Sequence, residues 1–181
     1  MNNRHNRSAK RGRSTKNGET LTTADVLERF NAGPQSGIFT DGSCIGNPGP
    51  GGWAAIILHE GKIKKLYGGE KLTTNNRMEL TAAIKALEYC DKNEKKQPAL
   101  KILKIFTDSN YVKDGITIWI KNWEKNNWKT ADKQNVKNVD LWKQLKELCK
   151  SKEIEWLWVK GHSDDPMNNL VDKMAKDAAI I

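Results

Sequence analysis

The sequence predicts an α/β domain built on a mixed sheet flanked by helices, and three observations carry that prediction. From Gly37 onward, short apolar runs suited to strands give way to longer segments whose apolar residues recur at helical spacing. The first three strand signals follow one another with only turns between them, as antiparallel neighbours do, whereas the later ones are separated by helical segments, as parallel crossovers are. No internal repeat and no run approaching the ~20 apolar residues of a membrane span breaks this pattern.

Each element has its own local reason. Gly37–Cys44 is an apolar strand that ends in the turn-rich GSCIGNPGPGG. Strands at Trp53–His59 and Lys62–Glu70 follow, joined by Glu60 and Gly61 as a tight hairpin connection. Asn75–Asp91 is a helix with a polar start at Thr73–Asn76 and a stripe of Leu80, Ala83, Ile84 and Leu87. A strand at Leu100–Thr107, a helical region from Asn110 to about Asn127, a helix at Val139–Ser151, a strand at Glu153–Val159 and a last helix at Asn168–Ala179 complete the domain, residues 37–181. Residues 1–36 form a basic extension with seven basic and three acidic side chains. Up to about Asn17 it has almost no large apolar residues and is expected to be disordered, an electrostatic tether. Thr23 as cap, Val26, Leu27 and Phe30 at helical spacing and Gly33 as stop allow one short helix there.

Charge and cysteine content bound the function. The 181 residues carry 31 Lys and Arg against 22 Asp and Glu, a net charge of +9 that points to a polyanionic partner without specifying chemistry. The basic start leads into more polar sequence instead of an apolar stretch, so no export signal is expected and a cytoplasmic location is the simplest reading. Cys44, Cys90 and Cys149 are odd in number and widely spaced, which argues against a disulfide framework or a zinc site. No extra apolar helix face stands out, and a monomer is expected.

Four acids stand where acids are costly or conspicuous. Asp41 interrupts an apolar strand (IFTDGS), Asp108 ends another (IFTDS), Glu79 lies on the first turns of a core-facing helix, and Asp172 follows Val171 in the last helix. Strand ends and helix starts are where α/β folds assemble sites. If the two Phe-Thr-Asp strands are parallel neighbours, Asp41 and Asp108 lie side by side and repel unless a cation neutralises them. A hard divalent ion such as Mg²⁺ takes carboxylate oxygens and water and completes its shell with substrate phosphate. Four carboxylates can hold two such ions about 4 Å apart, one activating water and one stabilising the leaving oxygen. Taken singly, each acid is equally well a turn, cap, first-turn or surface residue. His162, in the loop WVKGHSDDP ten residues before Asp172, is placed to move protons.

The stretches FTDGSCIGNPGPGGWAAII, TTNNRMELTAAIKALE, FTDSNYVKDGITIWIKNW, WKTADKQNVKNVDLW and WVKGHSDDPMNNLVDKMA, in this order from about Ile38 to Ala178, resemble the type 1 ribonucleases H, in their bacterial ribonuclease HI form. The resemblance implies the ribonuclease H-like fold, a five-stranded mixed sheet with three antiparallel-connected strands first and parallel strands after, and a basic protrusion. It implies an endonuclease that hydrolyses the RNA strand of RNA–DNA hybrids and leaves 5′-phosphate and 3′-hydroxyl ends. Asp41, Glu79, Asp108 and Asp172 match the family's ligands for two Mg²⁺ ions, with Mn²⁺ a possible substitute, and His162 matches its mobile catalytic histidine. Cys44, Gly46, Asn47, Asn75, Asn76 and Asn110 occupy positions that read 2′-hydroxyls and the DNA backbone in the minor groove, contacts by which RNA is told from DNA. Asn168 falls at a position close to the metals.

Residues Lys113 to Lys137 resemble the protrusion, or handle. Trp119, Trp123 and Trp128 fit a helical ridge, and Lys121, Lys125, Lys129, Lys133 and Lys137 recur every four residues. Such lysines suit phosphate contacts. Trp119, Lys125, Trp128 and Lys129 are the substrate-binding candidates, although the tryptophans are better suited to packing the handle against the core. Acidic Glu124 and Asp132 dilute the patch, and Asn126 and Gln134 replace basic residues of the better-known bacterial form. Two other classes compete: a catalytically silent hybrid-binding protein, and a nuclease or strand transferase of the same fold acting on DNA duplexes.

Overall fold

In the computed structural model, residues 36–59, 61–161 and 165–180 are described. The expectations for residues 1–35, for Glu60 and for His162 lie outside them. Five strands form one sheet: β1 (Gly37–Cys44), β2 (Gly49–His59), β3 (Lys62–Thr73), β4 (Ile102–Thr107) and β5 (Glu153–Trp158), in the order β3-β2-β1-β4-β5. β1 and β2, and β2 and β3, pair antiparallel; β1 and β4, and β4 and β5, pair parallel. This is the expected mixed sheet. The helices are α1 (Asn75–Asn93), α2 (Asn110–Asp114), α3 (Ile120–Lys125), α4 (Val139–Cys149) and α5 (Pro166–Ala178).

Both faces of the central strands are covered, so β1 and β2 read as nearly continuous apolar runs. With side chains alternating between faces, Ile38, Ala55 and Ile57 join Leu80, Ile84, Leu87, Ile105, Trp142 and Leu145 in one buried cluster. Phe39, Ala54, Ile56 and Leu58 meet Met167, Val171 and Ala175 of α5 in a second cluster on the other face. Cys90 is fully buried, and burial pushes both its thiol and that of Cys149 up to about 12, which keeps them inert; all three cysteines are free.

Several boundaries differ from the sequence expectation. β2 begins at Gly49 instead of Trp53, inside the Gly/Pro turn, and β3 runs on to Thr73. A Cβ on Gly52 would lie 2.2 Å from the Ala175 carbonyl oxygen, and one on Gly69 would lie 2.4 Å from that of Ala178, so these glycines let α5 rest directly on the sheet. A 3₁₀ turn at Pro98–Lys101 takes the first residues assigned to the fourth strand. α4 stops at Cys149 and β5 at Trp158. α5 starts at Pro166, two residues earlier than expected, because the Asp165 carboxylate accepts from the Met167 and Asn168 amides at 2.9 and 3.1 Å while proline takes the first turn.

The helical region expected from Asn110 to about Asn127 is present as one continuous run of α2, a π-helical turn at Gly115–Trp119, and α3, which ends at Lys125. Beyond it, Asn127, Trp128, Lys133 and Asn138 take left-handed backbone angles between 51° and 60°. The helical ridge expected of Trp119, Trp123 and Trp128 stops short of Trp128, which lies beyond α3, and the lysines that recur every four residues do not share one helix: Lys121 and Lys125 lie on α3, Lys129 bridges to Asn135, and Lys133 and Lys137 lie on turns.

Candidate active site

The parallel register of β1 and β4 pairs Thr40 with Thr107, which carries both chains to an acid at the next residue. Asp41 and Asp108 are thereby neighbours at one edge of the sheet. Glu79 arrives from α1 because Gly42 has no side chain: a Cβ there would meet the Glu79 amide nitrogen at 2.2 Å. One ligand oxygen from each of Asp41, Glu79 and Asp108 lies within 4.8 Å of the others. Asp41 and Glu79 are 5% and 6% exposed.

Such proximity without a counter-ion has an electrostatic cost. Burial first, and then the charges of Asp108 and Asp172, push the Asp41 carboxyl up to about 8. Burial, Asp41 and Asp108 hold Glu79 well above the carboxylate range. Glu79 Oε1 accepts from Asn75 Nδ2 at 3.4 Å, while its buried Oε2 has no hydrogen-bond partner among the described residues. A buried, unpaired carboxylate oxygen facing two more carboxylates suits a hard cation, since carboxylates and water are the ligands that Mg²⁺ and its neighbours prefer.

Asp108 is held from three sides. Trp158 Nε1 donates to its carbonyl at 3.1 Å, buried Asn168 extends Nδ2 to Oδ2 at 3.5 Å, and a Cβ on Gly161 would come within 2.8 Å of that oxygen. Asp172, on α5, is half-buried and stands outside the convergent trio. It is near enough for its charge to raise the Asp41 carboxyl, and its Oδ2 accepts from Lys176 at 2.7 Å.

The expected substrate-reading residues divide into groups. Cys44 does not point a free thiol outward: its Sγ donates to the Thr73 and Gly49 carbonyls at 3.4 and 3.6 Å, tying together the ends of β1, β2 and β3. Gly46 turns the following loop with φ of 78°, and Asn47 Oδ1 accepts the Asn75 amide at 3.0 Å, so this loop caps α1. Gly46, Asn47, Asn76 and Asn110 are exposed, the last two residues beyond Asp108.

In the protrusion, Tyr111, Trp119, Trp123 and Trp142 form a chain of ring contacts with centroids 5.2 to 6.2 Å apart. Trp128 is half-buried with the Lys143 ammonium 5.3 Å from its ring centroid. Trp123 and Trp128 thus pack against the core, whereas Trp119 is 36% exposed. Lys125 and Lys129 are exposed, Lys129 donating to Asn135 Oδ1 at 2.7 Å.

Sequence reasoning missed the residues that tie this protrusion to the acidic edge. Arg77, two residues before Glu79, pairs with Asp140 at 3.0 Å and reaches Asn138 at 3.4 Å. The Tyr111 hydroxyl accepts from Asn138 Nδ2 and Trp142 Nε1 at 3.1 and 3.2 Å. Arg77 sits in the quoted stretch TTNNRMEL, but nothing local says that its partner lies 63 residues away.

Comparison with known proteins agrees with this architecture. The family model described as RNase H matches residues 34–180. A Ribonuclease H of Hyphomonas neptunium is 52% identical over 156 residues, 86% of this chain and 93% of its own length. A Ribonuclease H of Alcanivorax borkumensis is 56% identical over 138 residues, 76% of this chain and 87% of its own. Among solved structures, LC9-RNase H1, a type 1 RNase H with the type 2 active-site motif, superposes with a TM-score of 0.67 at 28% identity over 80% of this chain and 71% of its own. LC11-RNase H1, solved in complex with an RNA/DNA hybrid, shares the fold at a TM-score of 0.58 and 19% identity, over 81% of this chain and 99% of its own. With its sheet order, its convergent acids and these relatives, the chain belongs to the ribonuclease H family.

Proposed function

We propose that this chain is a ribonuclease H that cleaves the RNA strand of RNA–DNA hybrids endonucleolytically, using two Mg²⁺ ions, and leaves 5′-phosphate and 3′-hydroxyl ends. The observation that carries the reading is the convergence of Asp41, Glu79 and Asp108, with the second oxygen of Glu79 buried and unpartnered. Asp41, Glu79, Asp108 and Asp172 would hold the ions; Mn²⁺ fits the same oxygen donors. When bound, the ions supply an activated water and charge stabilisation at the leaving 3′-oxygen. The protein's own part is to keep the carboxylates fixed and dry on rigid elements, β1, α1, β4 and α5. His162, by its sequence position between β5 and α5, moves a proton to or from the reacting oxygens.

Substrate selection is assigned to the rim of this edge. Exposed Gly46, Asn47, Asn76 and Asn110 present backbone amides and side-chain amides to a minor groove, where a 2′-hydroxyl both donates and accepts. Cys44, Asn75 and Asn168 act by holding that surface and the acids in place. Lys125 and Lys129, with the edge of Trp119, meet backbone phosphates, and Trp128 supports them. The working form is a cytoplasmic monomer with residues 37–181 as catalytic domain and the basic residues 1–36 as a tether. Among the described residues no helix is long and apolar enough to cross a membrane.

One assay tests the reading. Labelled RNA–DNA, RNA–RNA and DNA–DNA duplexes are incubated with the full chain in Mg²⁺ and in EDTA. Cleavage confined to the RNA of the hybrid and abolished by EDTA is expected; equal cutting of a DNA duplex, or no metal dependence, overturns it.

A further inference from the structure

The fourth carboxylate of the proposed set already has a cation. Lys176, one helical turn beyond Asp172 on α5, donates to Asp172 Oδ2 at 2.7 Å, while the same carboxyl is near enough for its charge to raise that of Asp41. The spacing of four places both side chains on one face of the helix with the acid N-terminal, the favourable order. The lysine side chain is 52% exposed and the aspartate 25%, so the pair adds little to folding. Its charge is felt instead at the acidic edge, where Asp172 is the one member outside the 4.8 Å trio.

Resting on the cation-binding reading above, we propose that Lys176 is a built-in counter-ion that weakens Mg²⁺ binding at the Asp172 side of the site, a positioning residue that holds Asp172 until ion and substrate phosphate arrive together. An ion held by Asp172 would share that carboxylate with the Lys176 ammonium, 2.7 Å from its Oδ2, and the partly neutralised charge and the neighbouring cation would both disfavour binding. Substrate phosphate restores the missing negative charge, so occupancy is completed in the presence of the hybrid. Lys173, three residues earlier on the same helix, pairs with Asp177 at 2.7 Å instead and provides a control of equal charge.

Titration calorimetry of the full chain with MgCl₂ alone, at fixed ionic strength, reads the effect. Lys176→Gln is expected to bind Mg²⁺ roughly three- to tenfold more tightly than the unsubstituted chain, the range that one unit charge a few Å away gives after salt screening. Half-maximal hybrid cleavage should move to correspondingly lower Mg²⁺. Lys176→Arg keeps the original affinity, and Lys173→Gln leaves it unchanged. Unchanged or weaker binding in Lys176→Gln, or an equal gain in Lys173→Gln, overturns the proposal. Lys176→Met, a second neutral variant whose melting in EDTA is compared with that of the unsubstituted chain, separates lost folding from altered affinity. Failure of the metal reading itself looks different, because the unsubstituted chain then binds no Mg²⁺ and Asp41→Asn changes nothing.

Discussion

The acidic edge and the protrusion are built by opposite strategies. At the edge, carboxyl groups are crowded together, Asp41 and Glu79 buried and without a cation beside them, and the fold holds them there through β1, α1 and β4. In the protrusion, charged groups are exposed on turns and a short helix, while the aromatic residues between them pack inward. The first arrangement costs folding energy and is worth having only when a cation arrives; the second costs little and offers diffuse attraction to phosphates. Arg77 and Tyr111 join the two, since the helix turn that carries Glu79 also anchors the start of α4.

The contrast breaks most sharply at Asp41. Asp41→Asn should lower hybrid cleavage by about a thousandfold or more, the rate equivalent of losing several kcal/mol of charge stabilisation, measured as kcat on a labelled hybrid. The same substitution should stabilise the metal-free chain at neutral and higher pH. With the Asp41 carboxyl at about 8 in the fold against an ordinary 3.8, the folded chain keeps a proton that the unfolded chain releases. Stability in EDTA therefore falls as pH rises from 3.8 to about 8 and then levels off. Melting temperatures across that window should show this slope, and Asp41→Asn should flatten it. A flat profile in the unsubstituted chain would show that the edge stores no such cost.

An intermediate effect is expected where the protrusion meets the core. Trp142 is fully buried, contacts Tyr111 and Trp123, and lies so close to Gly115 that a Cβ there would sit 2.0 Å from its ring. Trp142→Ala should cost about 3–5 kcal/mol in denaturant unfolding, and any loss of activity should follow the loss of folded protein.

The smallest effects belong to the exposed lysines. Lys125→Ala and Lys129→Ala should each raise KM a few-fold with kcat unchanged, and each should reduce the slope of log affinity against log salt by about one. A fall in kcat with KM unchanged would mean that the protrusion acts on the chemistry and not on binding alone.

The sequence by itself determined the sheet's composition, its mixed character and the identity of the acids. The strand signal at Gly37–Cys44 is strong because β1 is buried on both faces, the one near Ile102–Thr107 because Leu103, Ile105 and Thr107 are buried although Lys104 is exposed, and each acid is conspicuous because it interrupts an apolar context. It also carried the start of α5, in the Asp165-Pro166 pair, although the expected helix begins two residues later, at Asn168. Local pattern could not reveal that β2 begins among glycines or that Cys44 bonds backbone instead of facing outward, because each depends on a partner distant in sequence: α5 against Gly52, and Thr73 beside Cys44. Only the tertiary structure decided that Asp41, Glu79 and Asp108 converge and that Asp172 stands outside that trio. Convergence is set by strand register and by the close approach of α1 at Gly42, and neither quantity is written in the neighbours of any one residue.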